Sequence, residues 1–255
     1  MDLRAEFLPG FDGAPLAVHR LGEGRPLLLL HGLFSNAEVN WIKYGTARAL
    51  AEAGFACIMP DLRAHGQSAH PHEPAAYPPD VLVRDLLALV AELGLTDYDL
   101  GGFSLGARTA LRGVIAGGLA PRRLVMGGMG LAGIRGWTGR IDFFLDVIAR
   151  FGTIPREDPA YMAQNFIRST KVDIAASRLL LESFLDGSPA VAAEDLSRAA
   201  LPALLVCGTE DHDNGSAEDL AAALPDGHYV PIPGNHMSCV IKPELAEAIV
   251  EFLTA

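Results

Sequence analysis

The residues Gly102-Phe103-Ser104-Leu105-Gly106 form a G-x-S-x-G between a strand-like and a helix-like stretch. A serine at the tip of a sharp strand-to-helix turn takes a strained backbone. Side chains two positions before and after it would collide, so both positions are glycine. The helix that follows aims its N-terminus at the serine and favours negative charge developing there. The bare pattern also marks ordinary turns; its placement after Tyr98-Asp99-Leu100-Gly101 and before Ala107-Arg108-Thr109-Ala110 makes Ser104 a candidate nucleophile. A serine hydroxyl needs a base, and the base needs a carboxylate to hold its tautomer. Of eight histidines, His236 lies in Gly234-Asn235-His236-Met237-Ser238, just after a strand-like stretch, where a late loop would deliver a base. Cys207-Gly208-Thr209-Glu210-Asp211-His212-Asp213 offers three carboxylates, Glu210, Asp211 and Asp213. The tetrahedral oxygen of acyl transfer needs N–H donors. The Leu105 amide is one, and the loop His31-Gly32-Leu33-Phe34 supplies another, from Leu33.

These residues must be held by rigid elements. Two strands are expected at about Leu3–Leu8 and Pro15–Arg20, then buried strands at Pro26–Leu30 and Phe55–Pro60. A helix is expected over Ile42–Ala53, and another over Pro79–Leu93, where Val81, Val83, Leu86, Leu89, Val90 and Leu93 recur at helical spacing. Strand Tyr98–Gly101, helix Ala107–Ile115 and strand Arg123–Met126 follow. This alternation implies a parallel sheet with helices on both faces. It breaks after Gly130. From Leu131 to Ala200 only helical patterns occur, such as Ile141–Phe151 and Ile174–Leu185. Strands resume at Ala203–Cys207 and His228–Ile232, and a helix over Pro243–Phe252 ends the chain. Ligands bind at the C-terminal ends of strands in such sheets, and Ser104, Asp211 and His236 all fall just after strand ends. The helical stretch carries Trp137, Phe143, Phe144, Met162, Phe166 and Phe184. Most of these should pin helices to the domain, and a few should line a substrate pocket.

The chain has 255 residues, half of them hydrophobic, and a formal net charge of -11. That suits one ordered domain with an insertion. It argues against nucleic acid or an anionic membrane as partner, since both want a basic surface. Cys57, Cys207 and Cys239 are odd in number, with apolar neighbours around the first two, and read as reduced core residues. His236 and Cys239 alone do not make a zinc site. The N-terminal residues carry no signal-peptide pattern, and no run approaches the roughly 20 apolar residues that span a bilayer. A cytoplasmic location, a small-molecule substrate and no metal or organic cofactor are the expectations. The sequence carries no signal for an oligomeric state. His19, His70 and His72 read as surface residues, and His228 as the opening of a strand.

Together these blocks resemble the α/β-hydrolase superfamily, in its smaller esterase-like form. The resemblance rests on His31-Gly32-Leu33, on Asp61-Leu62-Arg63-Ala64-His65-Gly66-Gln67-Ser68, on the serine turn, and on Gly208–Asp211 with His236. It implies a mostly parallel eight-stranded sheet with helices on both faces, a core domain of residues 1–130 and 201–255, and a helical cap of residues 131–200. It orders the triad nucleophile, acid, base, which sets aside His31 and His65 as structural residues. It favours Asp211, the fourth residue of a G-x-x-D, over Asp213 and Glu210. An acid after Arg123–Met126, the family's other site, is closed off, because Gly127–Ala132 contains no carboxylate. The Asp61–Ser68 block is carried over as structural. Ala64 departs from the usual glycine of that turn, and Asn235 from the glycine often found before the histidine. A serine nucleophile argues against the aspartate chemistry of epoxide hydrolases and haloalkane dehalogenases, and the absence of His-Gly-Gly-Gly against the hormone-sensitive-lipase type. The implied activity is hydrolysis of a carboxylic ester through an acyl-serine. A thioesterase, lactonase, C–C hydrolase, acyltransferase or cofactor-free perhydrolase would use the same residues. From another class, a small-molecule binder with a slow triad remains open.

Overall fold

Leu27 and Leu29 point into one apolar layer and Leu28 and Leu30 into the other, all four fully buried. A strand with no polar face needs cover on both sides, and this alternation fixes the architecture seen in the computed structural model, which describes residues 3–185 and 191–255. The strands are β1 (Glu6–Pro9), β2 (Pro15–Leu21), β3 (Arg25–Leu30), β4 (Phe55–Pro60), β5 (Asp99–Phe103), β6 (Leu124–Gly127), β7 (Ala203–Gly208) and β8 (Gly227–Ile232). They form one eight-stranded sheet in the order β1-β2-β4-β3-β5-β6-β7-β8. β1 and β2 pair antiparallel with their neighbours, and β4 through β8 are parallel. This is the mostly parallel sheet the sequence implies.

The helices are α1 (Thr46–Glu52), α2 (Val81–Glu92), α3 (Leu105–Ile115), α4 (Leu131–Arg135), α5 (Thr138–Ala149), α6 (Tyr161–Ser169), α7 (Ile174–Leu185), α8 (Ala217–Ala223) and α9 (Pro243–Thr254). Helices α1 and α9 cover one face with Leu50, Leu245, Ile249 and Leu253. Helices α2, α3 and α8 cover the other with Leu86, Leu111 and Leu220. The four helices between β6 and β7 belong to that second layer: Ile141, Val147, Leu180 and Leu181 share one apolar cluster with Met126 and Leu205 of the sheet. Residues 186–190, inside the stretch expected to be a cap, lie outside the described residues, as do Met1 and Asp2 of the N-terminal reading. Among the described residues, no helix is long and apolar enough to cross a membrane.

Two expectations are corrected. The helix expected over Ile42–Ala53 begins at Thr46, because Gly45 takes a φ of 91°, and a single π-type turn over Glu38–Ile42 precedes it. His19 is not a surface residue. It is buried on β2, with Nε2 3.5 Å from Asp61 Oδ2. The other two of that group differ: His70 is half-buried, and His72 is exposed and meets Asp173 at 3.0 Å.

Candidate active site

Ser104 ends β5 and opens α3 with φ 52° and ψ -112°, a backbone region that disfavours side chains. Its own amide donates to Gly127 O at 2.8 Å, and its carbonyl accepts from Arg108 N at 3.0 Å. The turn is so tight that a Cβ on Gly102 would lie 2.3 Å from Gly106 C, and one on Gly106 2.3 Å from Leu30 O. Both glycines are therefore required by backbone approach, as the spacing predicts.

His236 sits after β8 and is buried beside Phe103, ring centroids 5.2 Å apart. Its Nε2 lies 3.1 Å from Ser104 Oγ, and its Nδ1 lies 2.8 Å from Asp211 Oδ2. A carboxylate only accepts, so Nδ1 carries the proton and Nε2 is left to accept from the serine hydroxyl. Asn235, in place of the expected glycine, organises this loop. Its Oδ1 accepts from Met237 N and Ser238 N at 3.1 and 2.9 Å, while its own amide donates to Ser238 Oγ at 2.9 Å. The three carboxylates after β7 separate cleanly. Asp211 has a side chain only 2 % exposed and bonds His236; Asp213 is 49 % exposed and pairs with Arg140 at 3.2 Å. Glu210 points to solvent, with only its amide engaged, to Gly234 O at 3.0 Å.

The His31–Phe34 loop lies against Ser104: a Cβ on Gly32 would stand 3.5 Å from Ser104 Cβ. Two buried histidines pin it. His31 Nε2 accepts from Leu62 N at 2.9 Å and His65 Nε2 accepts from Phe34 N at 3.0 Å, while their Nδ1 atoms donate to Gly32 O and Arg63 O at 2.8 and 2.9 Å. Both imidazoles are neutral. Burial pushes the His31 pKa down, and burial together with the neighbouring His31 pushes His65 down to about 3. Asp61 ties the same turn: Oδ1 accepts from Ala37 N and Oδ2 from Gln67 N, each at 2.8 Å. Phe34 is held at φ 58°, a strained value for a bulky residue. Among the described residues, the Leu33 and Leu105 amides have no hydrogen-bond acceptor, and Leu105 is the first residue of α3.

Asp211, Asp213 and His236 bring three ligand-type atoms within 4.8 Å of one another. Two of those atoms already bond each other, and the third belongs to a carboxylate paired with Arg140. That set does not resemble a vacant metal cradle. Cys239 does not face the imidazole; its Sγ donates to the His236 carbonyl at 3.6 Å. All three cysteines are free and buried, and burial pushes each thiol up to about 12, which keeps them inert.

Two features escaped the sequence reading. Asn214 bridges the loops, donating from Nδ2 to Gly128 O at 2.8 Å and accepting at Oδ1 from the Trp137 indole at 3.4 Å. Arg108, one turn into α3, is 4 % exposed and stacks on Trp137 with 5.3 Å between guanidinium carbon and ring centroid. The sequence does not mark Arg108, because α3 also carries Thr109 and Arg112 and a helical arginine there reads as solvated.

Comparison with known proteins agrees with this architecture. A sequence model of the family described as "alpha/beta hydrolase fold" matches residues 25–113. The AB hydrolase superfamily protein YisY of Bacillus subtilis is 37% identical over 97 residues, covering 38% of this chain and 34% of that protein. An epoxide hydrolase of Caballeronia sordidicola is 32% identical over 99 residues, 39% of this chain and 29% of its own length. The matches thus span about a third of these curated relatives. Among solved structures, a hydrolase from Pseudomonas aeruginosa superposes over 98% of both chains with a TM-score of 0.77 at 22% identity, a likeness of fold. The sequence match runs from β3 through the serine turn into α3, and the structural match carries the same sheet on through β8; the chain has the α/β-hydrolase fold.

Proposed function

We propose that this chain is a serine hydrolase that cleaves a carboxylic ester of a small molecule through an acyl-serine intermediate. The observation that carries the reading is the hydrogen-bonded line from Ser104 Oγ to His236 Nε2 at 3.1 Å and from His236 Nδ1 to Asp211 Oδ2 at 2.8 Å. In this reading Ser104 Oγ attacks the ester carbonyl carbon as its proton passes to His236 Nε2. Asp211 stabilises the imidazolium and fixes its tautomer. The Leu33 and Leu105 amides, with the positive end of α3 behind the latter, receive the oxyanion. Collapse expels the alcohol, which takes the proton from His236. Water then attacks the acyl-serine by the same route in reverse, releasing the acid and restoring the serine. A serine at the turn, where an aspartate nucleophile would be needed for an alkyl-enzyme ester, favours acyl transfer over epoxide opening.

The test pairs turnover of a p-nitrophenyl ester with labelling by a fluorophosphonate. The expected result is burst-phase release of p-nitrophenol and stoichiometric labelling, both lost in Ser104→Ala. Background rates and no label in the folded wild-type protein would replace this reading with that of a binding protein.

A further inference from the structure

Among the described residues, Arg63 and Arg108 are almost wholly buried, and their surroundings differ. Arg63 is clamped by Asp85 at 2.8 Å and Asp12 at 2.7 Å, and these partners hold its pKa above the ordinary value. Arg108 is 4 % exposed and meets no carboxylate among the described residues; its Nε has no hydrogen-bond partner. Burial pulls its pKa down to about 10, the Arg112 charge adds to that, and only the more distant Asp80, already engaged by Arg112 at 2.5 Å, opposes it. A guanidinium is seldom buried without an anion. The indole of Trp137 covers one face, which is a favourable contact but leaves the charge without an anion and the buried Nε–H without an acceptor.

The position of this cation ties it to the site. Arg108 lies one helical turn beyond Ser104, its amide bonded to the serine carbonyl at 3.0 Å. Its guanidinium lies over the Trp137 indole, and the charges that act on it are Arg112, one turn further along α3, and Asp80. Trp137 enters from the chain leaving β6, and Asn214, three residues after Asp211, holds the Trp137 indole and Gly128 O. Arg108 therefore stands where the nucleophile helix, the loop after β6 and the loop bearing Asp211 converge.

We infer that Arg108 is the recognition residue for a carboxylate carried by the acyl half of the substrate, which makes the preferred substrate class the half-esters of short dicarboxylic acids. This rests on the reading of Ser104 as the nucleophile. One helical turn rises about 5.4 Å, a span that a few methylenes cross. A carboxylate docked on the guanidinium edge, with Trp137 against the face, would accept two parallel hydrogen bonds and neutralise the buried charge.

The experiment uses matched pairs in which a terminal carboxylate replaces a methyl group: p-nitrophenyl hydrogen succinate, glutarate and adipate against the butyrate, pentanoate and hexanoate esters. Wild-type protein is expected to prefer one or more of the charged partners in kcat/KM. Arg108→Met should lower kcat/KM for the charged esters by roughly 10–100-fold, mainly through KM, and leave the neutral esters within about threefold. Arg108→Lys should recover part of the preference. The thermal midpoint of ligand-free Arg108→Met should stay level or rise, since an uncompensated charge is removed; a merely structural arginine would lower it and move both ester series together. No charged preference in the wild type, or an equal loss in both series, overturns the inference. A second measurement needs neither a folded variant nor an ester: adipate, but not 1,6-hexanediol, should slow fluorophosphonate labelling of the wild-type protein. Labelling that proceeds unslowed refutes the Arg108 site, whereas absence of labelling refutes the Ser104 reading beneath it.

Discussion

Ser104 combines the proposed nucleophile with an unfavourable backbone, and the two can be separated. With φ at 52° and ψ at -112°, the residue occupies territory that glycine enters freely. Ser104→Ala should lower turnover by roughly 10⁴–10⁶-fold with the thermal midpoint near the parent's. Ser104→Gly should be as inactive and about 1 kcal/mol more stable, because it relieves the strain; a glycine variant less stable than the alanine one would show that the turn is relaxed. For the acid, Asp211→Asn should cost roughly 10³–10⁴ in kcat through the wrong imidazole tautomer. Asp213→Asn breaks only the half-exposed pair with Arg140 and should cost little. The reverse ranking, in steady-state kinetics of both variants, would move the acid to Asp213. Spacing alone could not separate these carboxylates, two residues apart in one loop. What separates them is burial, and burial is a property of the packed loop. Ser104 and His236 were legible because the glycines around the first and the strand end before the second leave their mark in sequence. Arg108 was not, because an arginine on a helix reads as solvated until the helix is known to be buried on every side.

The elements that matter most are the two loops at the ends of β3 and β4, locked together by neutral His31 and His65. The His65 pKa is depressed by burial to about 3, against an ordinary value of 6.5. The unfolded chain therefore takes up a proton near pH 6.5 that the folded chain refuses until about pH 3. The stability His65 contributes is complete above about pH 6.5 and declines toward the folded value, with a slope of up to about 1.4 kcal/mol per pH unit. His31 adds to this in the same direction. His19 opposes it: the hydrogen bond to Asp61 raises its pKa, so its contribution is present below pH 6.5 and fades as pH rises. Three depressed histidines, His31, His65 and the half-buried His70, outweigh one raised, and the midpoint of urea unfolding should fall between pH 6.5 and 4. In His65→Gln the fall should be shallower, from a starting stability at pH 7 about 1–3 kcal/mol lower because the Phe34 amide loses its acceptor. Equal slopes in the two proteins would dissociate His65 from the acid limb. Most elements were legible because buried strands and amphipathic helices repeat their periods in sequence. Helix α8 was passed over although Ser216 caps it, accepting from Asp219 N at 2.9 Å, since an alanine-rich seven-residue helix has little apolar period to show. Ala64 adopts φ 66°, which explains why the resemblance expects glycine there; what stabilises alanine at that position is the methyl group, fully buried.

At the scale of the whole molecule, the chain leaves the sheet at Gly127 and returns at Ala203, and the described helices between them share the second apolar layer. The sequence identifies the large apolar residues of that stretch without saying which face inward, because a helix packed on a second layer and exposed on its far side shows a mixed pattern. The structure divides the six. Trp137 and Phe184 are buried against each other, ring centroids 5.8 Å apart, and Phe166 packs on the shared core. Truncating Trp137 or Phe184 should therefore cost stability, about 3–5 kcal/mol each. Met162 is 74 % exposed, and Phe143, 40 % exposed, meets Phe144 edge to face. Phe144 is the one whose ring meets the site loop, edge to face with Phe34 at 5.1 Å, next to Leu33. If the insertion sets substrate choice, Phe144 is where it does so. Phe144→Ala would open space beside the His31–Phe34 loop and admit longer acyl chains. Apolar fit is worth about 1–3 kcal/mol per methylene, so the octanoate-to-butyrate ratio of kcat/KM for p-nitrophenyl esters should rise on the order of tenfold. Met162→Ala should leave that ratio unchanged. A folded Phe144→Ala that keeps the parent's ranking would make the contact with Phe34 a brace for the loop and place the acyl chain elsewhere.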